Sequence, residues 1–211
     1  TAYEIVDCDW SSDVCSSDLW RYGRKLCYLC KEYENMKKEL MIGCGTMRDK
    51  RLTCDKTDGW SNLKTLDNNA DHNPDVYWDL RNLPLPFESN TFDEIHAYEV
   101  LEHIGQQGDY KTFFEQFTEF WRILKPDGHL LATCPSRHSV WAYGDPSHTR
   151  IMQPEQLVFL SQPHYTENVG KNSMSDFRYL YKADYDIMFT NETQEFFHFI
   201  IKAIKPTRYK K

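Results

Sequence analysis

Two acids and a glycine loop stand directly after short apolar runs, where an open α/β sheet holds its ligands. Gly43-Cys44-Gly45 follows Leu40-Met41-Ile42, Asp67 follows the run Leu63 to Leu66, and Asp79 follows Val76-Tyr77-Trp78. Glycines permit positive φ and let a ligand approach the backbone closely, so the amides that follow can meet a carboxylate or a hydroxyl. Asp67 lies 24 residues beyond Gly43. An acid about 20 residues after a glycine loop is suited to accept hydrogen bonds from ribose hydroxyls. Asp79-Leu80 offers a carboxylate and a backbone amide to an adenine edge.

A second concentration of chemistry runs from Ser136 to Arg150, mixing aromatics, two histidines, an acid and two arginines. That composition suits a polar substrate pocket, and it also suits a well-hydrogen-bonded loop. His148 with Asp145, then His138 and His103, are the candidates for proton transfer. Trp141 and Tyr143 could stack on a planar acceptor. Cys27-x-x-Cys30 lacks a second pair or neighbouring histidines, so it reads as incidental thiols and no metal is expected.

The elements that must position these residues alternate in type. Short apolar strands are expected at 39–42, 63–66, 76–78, 92–98 and 129–134, in the βαβ pattern of a parallel sheet. Phe113, Phe114, Phe117, Phe120, Trp121 and Leu124 recur at helical spacing, predicting a helix from Tyr110 to Leu124 that Lys125-Pro126-Asp127-Gly128 stops. A short helix is expected from Pro154 to Leu160. Two late strands are expected over Tyr179 to Phe189 and Phe196 to Ile204.

Composition narrows the classes. A chain of 211 residues fits one α/β domain, and no apolar run approaches the ~20 residues that span a bilayer. The formal charge of −7 weighs against a nucleic-acid-coating surface. Seven cysteines at irregular spacing argue for reduced thiols rather than a disulfide framework, and a soluble cytoplasmic protein is expected. Asp9 to Leu19 (DWSSDVCSSDL) matches, residue for residue, the translation of a common sequencing adapter. Residues 1–35 are therefore expected to be a non-native extension retained in an environmental (metagenomic) assembly. Met36 would open the functional domain, 36–211.

Taken together, LMIGCG at 40–45, LDNN at 66–69, WDLRNLPLPFESNTFDEIHAYEVLEHI at 78–104 and WRILKPDGHLLATCP at 121–135 resemble the class I S-adenosylmethionine-dependent methyltransferases. The resemblance implies an α/β fold, an open, doubly wound, mostly parallel seven-stranded sheet whose last strand is antiparallel. It implies S-adenosylmethionine as cofactor. Gly43, Cys44 and Gly45 would line its methionine part, Asp67 with Asn68 its ribose, Asp79 and Leu80 its adenine, and Glu99 its sulfonium end. Two departures stand out. Met41 replaces an acid common before the loop, and Thr46-Met47-Arg48 lacks a third glycine, so the loop should be less open and its first helix short or irregular.

In this family the segments after the fourth and fifth strands, here Glu102 to Gln107 and Ser136 to Arg150, build the substrate side. Enzymes that methylate DNA amino groups carry Asn/Asp-Pro-Pro-Tyr/Phe after the fourth strand to hold a flipped base. Ala97-Tyr98-Glu99-Val100 stands there instead, so DNA-base methylation is not expected. The expected activity is methyl transfer to an oxygen or nitrogen of a small-molecule acceptor. The rivals are a non-catalytic methyltransferase-like binding protein and an NAD-dependent oxidoreductase. The latter would want a glycine where Arg48 stands.

Overall fold

A computed structural model describes residues 36–55 and 59–210. The chain divides into two units, Thr1–Met36 and Lys37–Lys211. The adapter-like Asp9 to Leu19 and the Cys27-x-x-Cys30 pair lie outside the described residues.

Its strands, in chain order, are β1 (Lys38–Ile42), β2 (Asn62–Asp67), β3 (Val76–Tyr77), β4 (Phe92–Tyr98), β5 (Leu124–Pro135), β6 (Tyr185–Glu192) and β7 (Phe196–Ala203). They form one seven-stranded sheet in the order β3-β2-β1-β4-β5-β7-β6. The pairs from β3 to β5 are parallel, whereas β7 runs antiparallel to both β5 and β6. The seven-stranded, mostly parallel sheet with one reversed strand matches the expectation from the sequence.

Period-two alternation sends Leu40, Ile42, Ile95, Ala97, Leu130, Ala132, Phe197 and Phe199 to one face, where all are buried. Against them packs α1 (Tyr110–Ile123), through Phe113, Phe114, Phe117, Phe120 and Ile123. Asp109 caps this helix by accepting the Thr112 amide at 3.1 Å. Leu124, expected as its last residue, instead opens β5, because it pairs with Phe92 across the sheet.

The opposite face of β1 and β4 is polar. Glu39, Glu94 and His96 are fully or almost fully buried there. Lys50 Nζ lies 2.6 Å from Glu39 Oε1, and Lys37 Nζ lies 2.5 Å from Glu94 Oε1. Among the described residues no helix joins β1 to β2, in keeping with the departures in the glycine loop. Polar contacts hold this connector to the sheet. Tyr98 Oη accepts the Arg51 and Leu52 amides at 3.2 and 3.1 Å, and Trp60 Nε1 donates to the Arg48 carbonyl at 2.6 Å.

Three short helices follow β5: α2 (Trp141–Gly144), α3 (Pro154–Leu157), which a 3₁₀ turn extends to Leu160, and α4 (Gln162–Asn168). The first late strand starts six residues later than expected, at Tyr185. The reason is a contact distant in sequence: the buried Gln162 side chain donates to the Tyr181 and Ala183 carbonyls, which are thereby diverted from a ladder. No helix among the described residues is long and apolar enough to cross a membrane.

The buried acid on β4 makes stability depend on pH. Burial works against the charge of Glu94, but His96 and Lys37 outweigh it and hold the carboxyl at about 2 instead of 4.5. The unfolded chain therefore takes up a proton that the native state refuses. This contribution is complete above pH 4.5 and fades as pH falls toward 2. Glu94→Gln is expected to cost about 3 kcal/mol near neutral pH. In urea unfolding, the gap between the two proteins should shrink across that acid window, and a gap independent of pH would contradict the assignment.

Candidate functional site

Four strands end around one cavity of about 440 Å³, lined by Gly43 and Gly45 after β1, Leu66, Asp67 and Asn68 at the end of β2, Trp78 to Arg81 after β3, and Glu99 and Val100 after β4. The volume lies within the range of ordinary cofactor sites.

Both loop glycines have left-handed backbone, with φ of 57° at Gly43 and 53° at Gly45. A Cβ on Gly43 would sit 2.4 Å from Val100 Cγ2, so no side chain fits. A Cβ on Gly45 would meet nothing within 4 Å, so this residue leaves its side-chain position free where it lines the cavity. Cys44 differs from the expectation. Its side chain is buried with Met41 and Tyr98, and it lies outside the cavity lining. Its amide is also committed, donating to the Leu66 carbonyl at 3.3 Å.

Asp67 is 5% exposed and joins two loops. Its Oδ2 accepts the Gly45 amide and its Oδ1 the Asn69 amide, both at 2.8 Å, with His72 Nδ1 3.2 Å from Oδ2. Burial opposes the charge, and these three partners more than offset it, so the carboxyl is held below the usual range. Asn68 is exposed beside it and lines the cavity. Asp79 also lines it but is clasped by Arg81, whose Nη2 lies 2.6 Å from Oδ2. The Arg81 guanidinium holds the Asp79 carboxyl below its ordinary value. Leu80 is buried at the cavity wall.

A second cavity, about 270 Å³, adjoins the first, and Glu99 and His103 line both. Glu99 has a φ of 54°, which is rare for a residue with a side chain, and Thr133 Oγ1 donates to its Oε1 at 2.6 Å. Glu102, Ser139, Trp141, Asp145 and His148 complete much of the second lining.

His148 and Asp145, paired above as candidates for proton transfer, both line this cavity but make no direct hydrogen bond. His148 Nε2 stands 3.8 Å from Asp145 Oδ2, whose other oxygen accepts the Ser147 amide at 2.8 Å. His148 uses Nδ1 instead, 2.9 Å from the Trp141 carbonyl. His138 is exposed and lines neither cavity, so the fold leaves it outside the site, and Tyr143 is likewise exposed and absent from both linings.

Glu102, which sequence reasoning did not single out, is 2% exposed, and neither carboxylate oxygen has a hydrogen-bond partner. The Cys134 thiol lies beside it without making a hydrogen bond of ordinary geometry. Burial pushes the Glu102 carboxyl up to about 8. The only sequence signal for it was an acid inside an apolar run, Val100-Leu101-Glu102-His103-Ile104.

A glycine loop and strand-end acids surround a cavity at the carboxyl edge of a 3-2-1-4-5-7-6 sheet, the place where Rossmann-like folds hold nucleoside-bearing cofactors. Residues 40–132 match the family described as a methyltransferase domain. No curated protein matches the sequence significantly. Among solved structures the chain is similar to an S-adenosylmethionine-dependent methyltransferase from Archaeoglobus fulgidus, with 16% identity, 87% of this chain and 93% of that chain covered, and a TM-score of 0.50. It is also similar to the N-methyltransferase NodS from Bradyrhizobium japonicum WM9 in complex with S-adenosyl-L-homocysteine, at 15% identity, 87% and 86% coverage and a TM-score of 0.46. The methyltransferase-domain match covers residues 40–132, and the fold of the chain is that of solved S-adenosylmethionine-dependent methyltransferases.

S-adenosylmethionine is the cofactor named for the similar Archaeoglobus fulgidus structure, and the residues around the first cavity fit it. The open Gly45 position leaves room for a ligand against the backbone, and Asp67 is an ionised acceptor at the cavity wall. Asp67→Ala should weaken S-adenosylmethionine binding by roughly 1–3 kcal/mol in calorimetry, through lost charge-assisted hydrogen bonds. Gly45→Val should abolish binding by filling the free position, while a variant that binds normally would undo the assignment of the loop.

Proposed function

We propose that the chain transfers the methyl group of S-adenosylmethionine to an oxygen or nitrogen of a small molecule held in the second cavity. The observation that carries this reading is the junction of the two cavities at Glu99 and His103. A methyl donor in the first would then face an acceptor in the second.

When bound, the cofactor supplies an activated methyl group on a sulfonium. The work of the chain is to place the acceptor in line, exclude water and, where needed, receive a proton. Asp67 and Asn68 would hold the ribose, Asp79 and Leu80 the adenine, Gly43 and Gly45 the methionine part, and Glu99 would border the reacting end. Trp141 offers a face for the acceptor. His148 and His103 each direct Nδ1 at a carbonyl, which leaves Nε2 with a lone pair for the acceptor side. The irregularly spaced cysteines favour a reducing compartment, and cytoplasmic residence is part of the same reading.

Incubation with S-adenosylmethionine and a panel of small hydroxyl and amine compounds, read as S-adenosylhomocysteine formed, tests this function. Turnover is expected, and His148→Ala should slow it by about 10² or more with cofactor affinity little changed. Cofactor binding without turnover of any acceptor would favour a non-catalytic binding protein, and tight binding of NAD instead would favour an oxidoreductase.

A further inference from the structure

Glu102 and His103 are neighbours on a 3₁₀ turn (Leu101–His103), and His148 lies about 45 residues further along. The fold brings one donor atom from each to within 4.8 Å of the others. His148 Nε2 is 3.9 Å from Glu102 Oε1.

Three observations mark this convergence as a built site. Glu102 is buried with both oxygens unpartnered, and a carboxyl is seldom left so unless a ligand completes it. The histidines are held in a matching state: His103 Nδ1 lies 3.2 Å from the Ser147 carbonyl and His148 Nδ1 2.9 Å from the Trp141 carbonyl. A carbonyl oxygen only accepts, so Nδ1 carries a proton in each ring, and the lone pair of the neutral imidazole is then on Nε2. Metal-ligating histidines are oriented in this way, by a second-shell carbonyl. Finally, the loop bearing His148 is stitched to the turn bearing Glu102. The Thr149 and Arg150 amides both donate to the Glu102 carbonyl, at 3.0 and 3.1 Å, and the buried Arg150 donates to the Gln106 and Asp109 carbonyls at 3.0 and 2.8 Å.

We infer that Glu102, His103 and His148 bind a first-row divalent cation, of the Mn²⁺ class, at the wall of the acceptor cavity. Two imidazoles and a carboxylate suit Mn²⁺, Fe²⁺ or Zn²⁺ better than Mg²⁺ or Ca²⁺, which favour all-oxygen sets. Three protein ligands leave coordination positions for an acceptor, and Glu99 and Asp145 line the same cavity. The cation therefore selects a hydroxyl acceptor, best a vicinal diol that can offer two oxygens, and this acceptor class rests on the methyl-transfer reading above. A hydroxyl held there would be acidified and give up its proton to bulk solvent as it binds, so that it could take the methyl group while the carbon–sulfur electron pair stays on sulfur. The histidine pair thereby acts in ligation, not in the proton transfer first assigned to it.

The full chain, reduced and freed of metal with chelator, can be titrated with Mn²⁺ while free Mn²⁺ is followed by electron paramagnetic resonance. Mn²⁺ is the probe because the Cys27 and Cys30 thiols would take up zinc. One saturable site is expected. Glu102→Gln, His103→Ala and His148→Ala should each weaken it at least about tenfold. Mn²⁺ should also raise the unfolding temperature of the wild type alone, and the variants' midpoints in chelator report whether they fold. No saturable uptake by the wild type, or uptake that survives in all three variants, would overturn the site. Calorimetry with S-adenosylmethionine in chelator keeps the two readings apart: cation uptake without cofactor binding refutes the methyl-transfer function alone, and the converse refutes the cation site alone. Turnover of a vicinal diol that stops in chelator and returns with Mn²⁺ supports the acceptor class, and turnover of an amine in chelator overturns it.

Discussion

An ionised carboxylate buried at a strand end has to be answered by donors, and at Asp67 the donors are the amides that shape the site. By taking the Gly45 amide on one oxygen and the Asn69 amide on the other, it fastens the loop after β1 to the turn after β2. No helix among the described residues follows the glycine loop, so this tie works together with the polar contacts of Arg48, Arg51 and Leu52 to hold the connector. The loop's left-handed glycines can take the path this tie demands, and the Val100 side chain against Gly43 forbids any residue larger than hydrogen there. One buried charge thus sets both the shape of the cavity and the donors already spent within it.

The polar face of β4 carries the constraint across the sheet. Tyr98 Oη receives two connector amides, so its own proton is free for His96 Nδ1, 2.7 Å away. That leaves the His96 proton on Nε2, which lies 3.1 Å from Glu94 Oε2. Glu94, His96 and Tyr98 therefore do with hydrogen bonds and ion pairs what an apolar helix face would do by burial. The next residue, Glu99, turns left-handed and enters both cavities. Strain at that position is borne by a strand whose alternate residues are fixed on both faces.

Much of the framework was legible from the sequence because it rests on local pattern. Strand ends coincide with changes from apolar to polar residues, so Asp67, Asp79 and Glu99 could be placed at one sheet edge before any coordinates. What escaped was set by contacts distant in sequence. Cys44 reads as part of a ligand loop, yet strand pleating turns it into an apolar pocket with Met41 and Tyr98. His138 and His148 look equivalent within one polar run, and only the stitching of Thr149 and Arg150 to Glu102 draws the second inward. Glu102 itself looks like an ordinary helix-forming acid, because burial without a partner leaves no local trace. The late start of β6 has the same origin, since Gln162 takes its carbonyls from across the domain.

A crystal structure of the chain with S-adenosylhomocysteine tests the central claim most directly, since it asks whether the strand-end cavity is the cofactor site. The account predicts density in the cavity with the ribose hydroxyls on Asp67, the adenine beside Asp79 and Leu80, and the sulfur near Glu99 where the two cavities meet. Density elsewhere, or a cavity that stays free of ligand at saturating concentration, would contradict it.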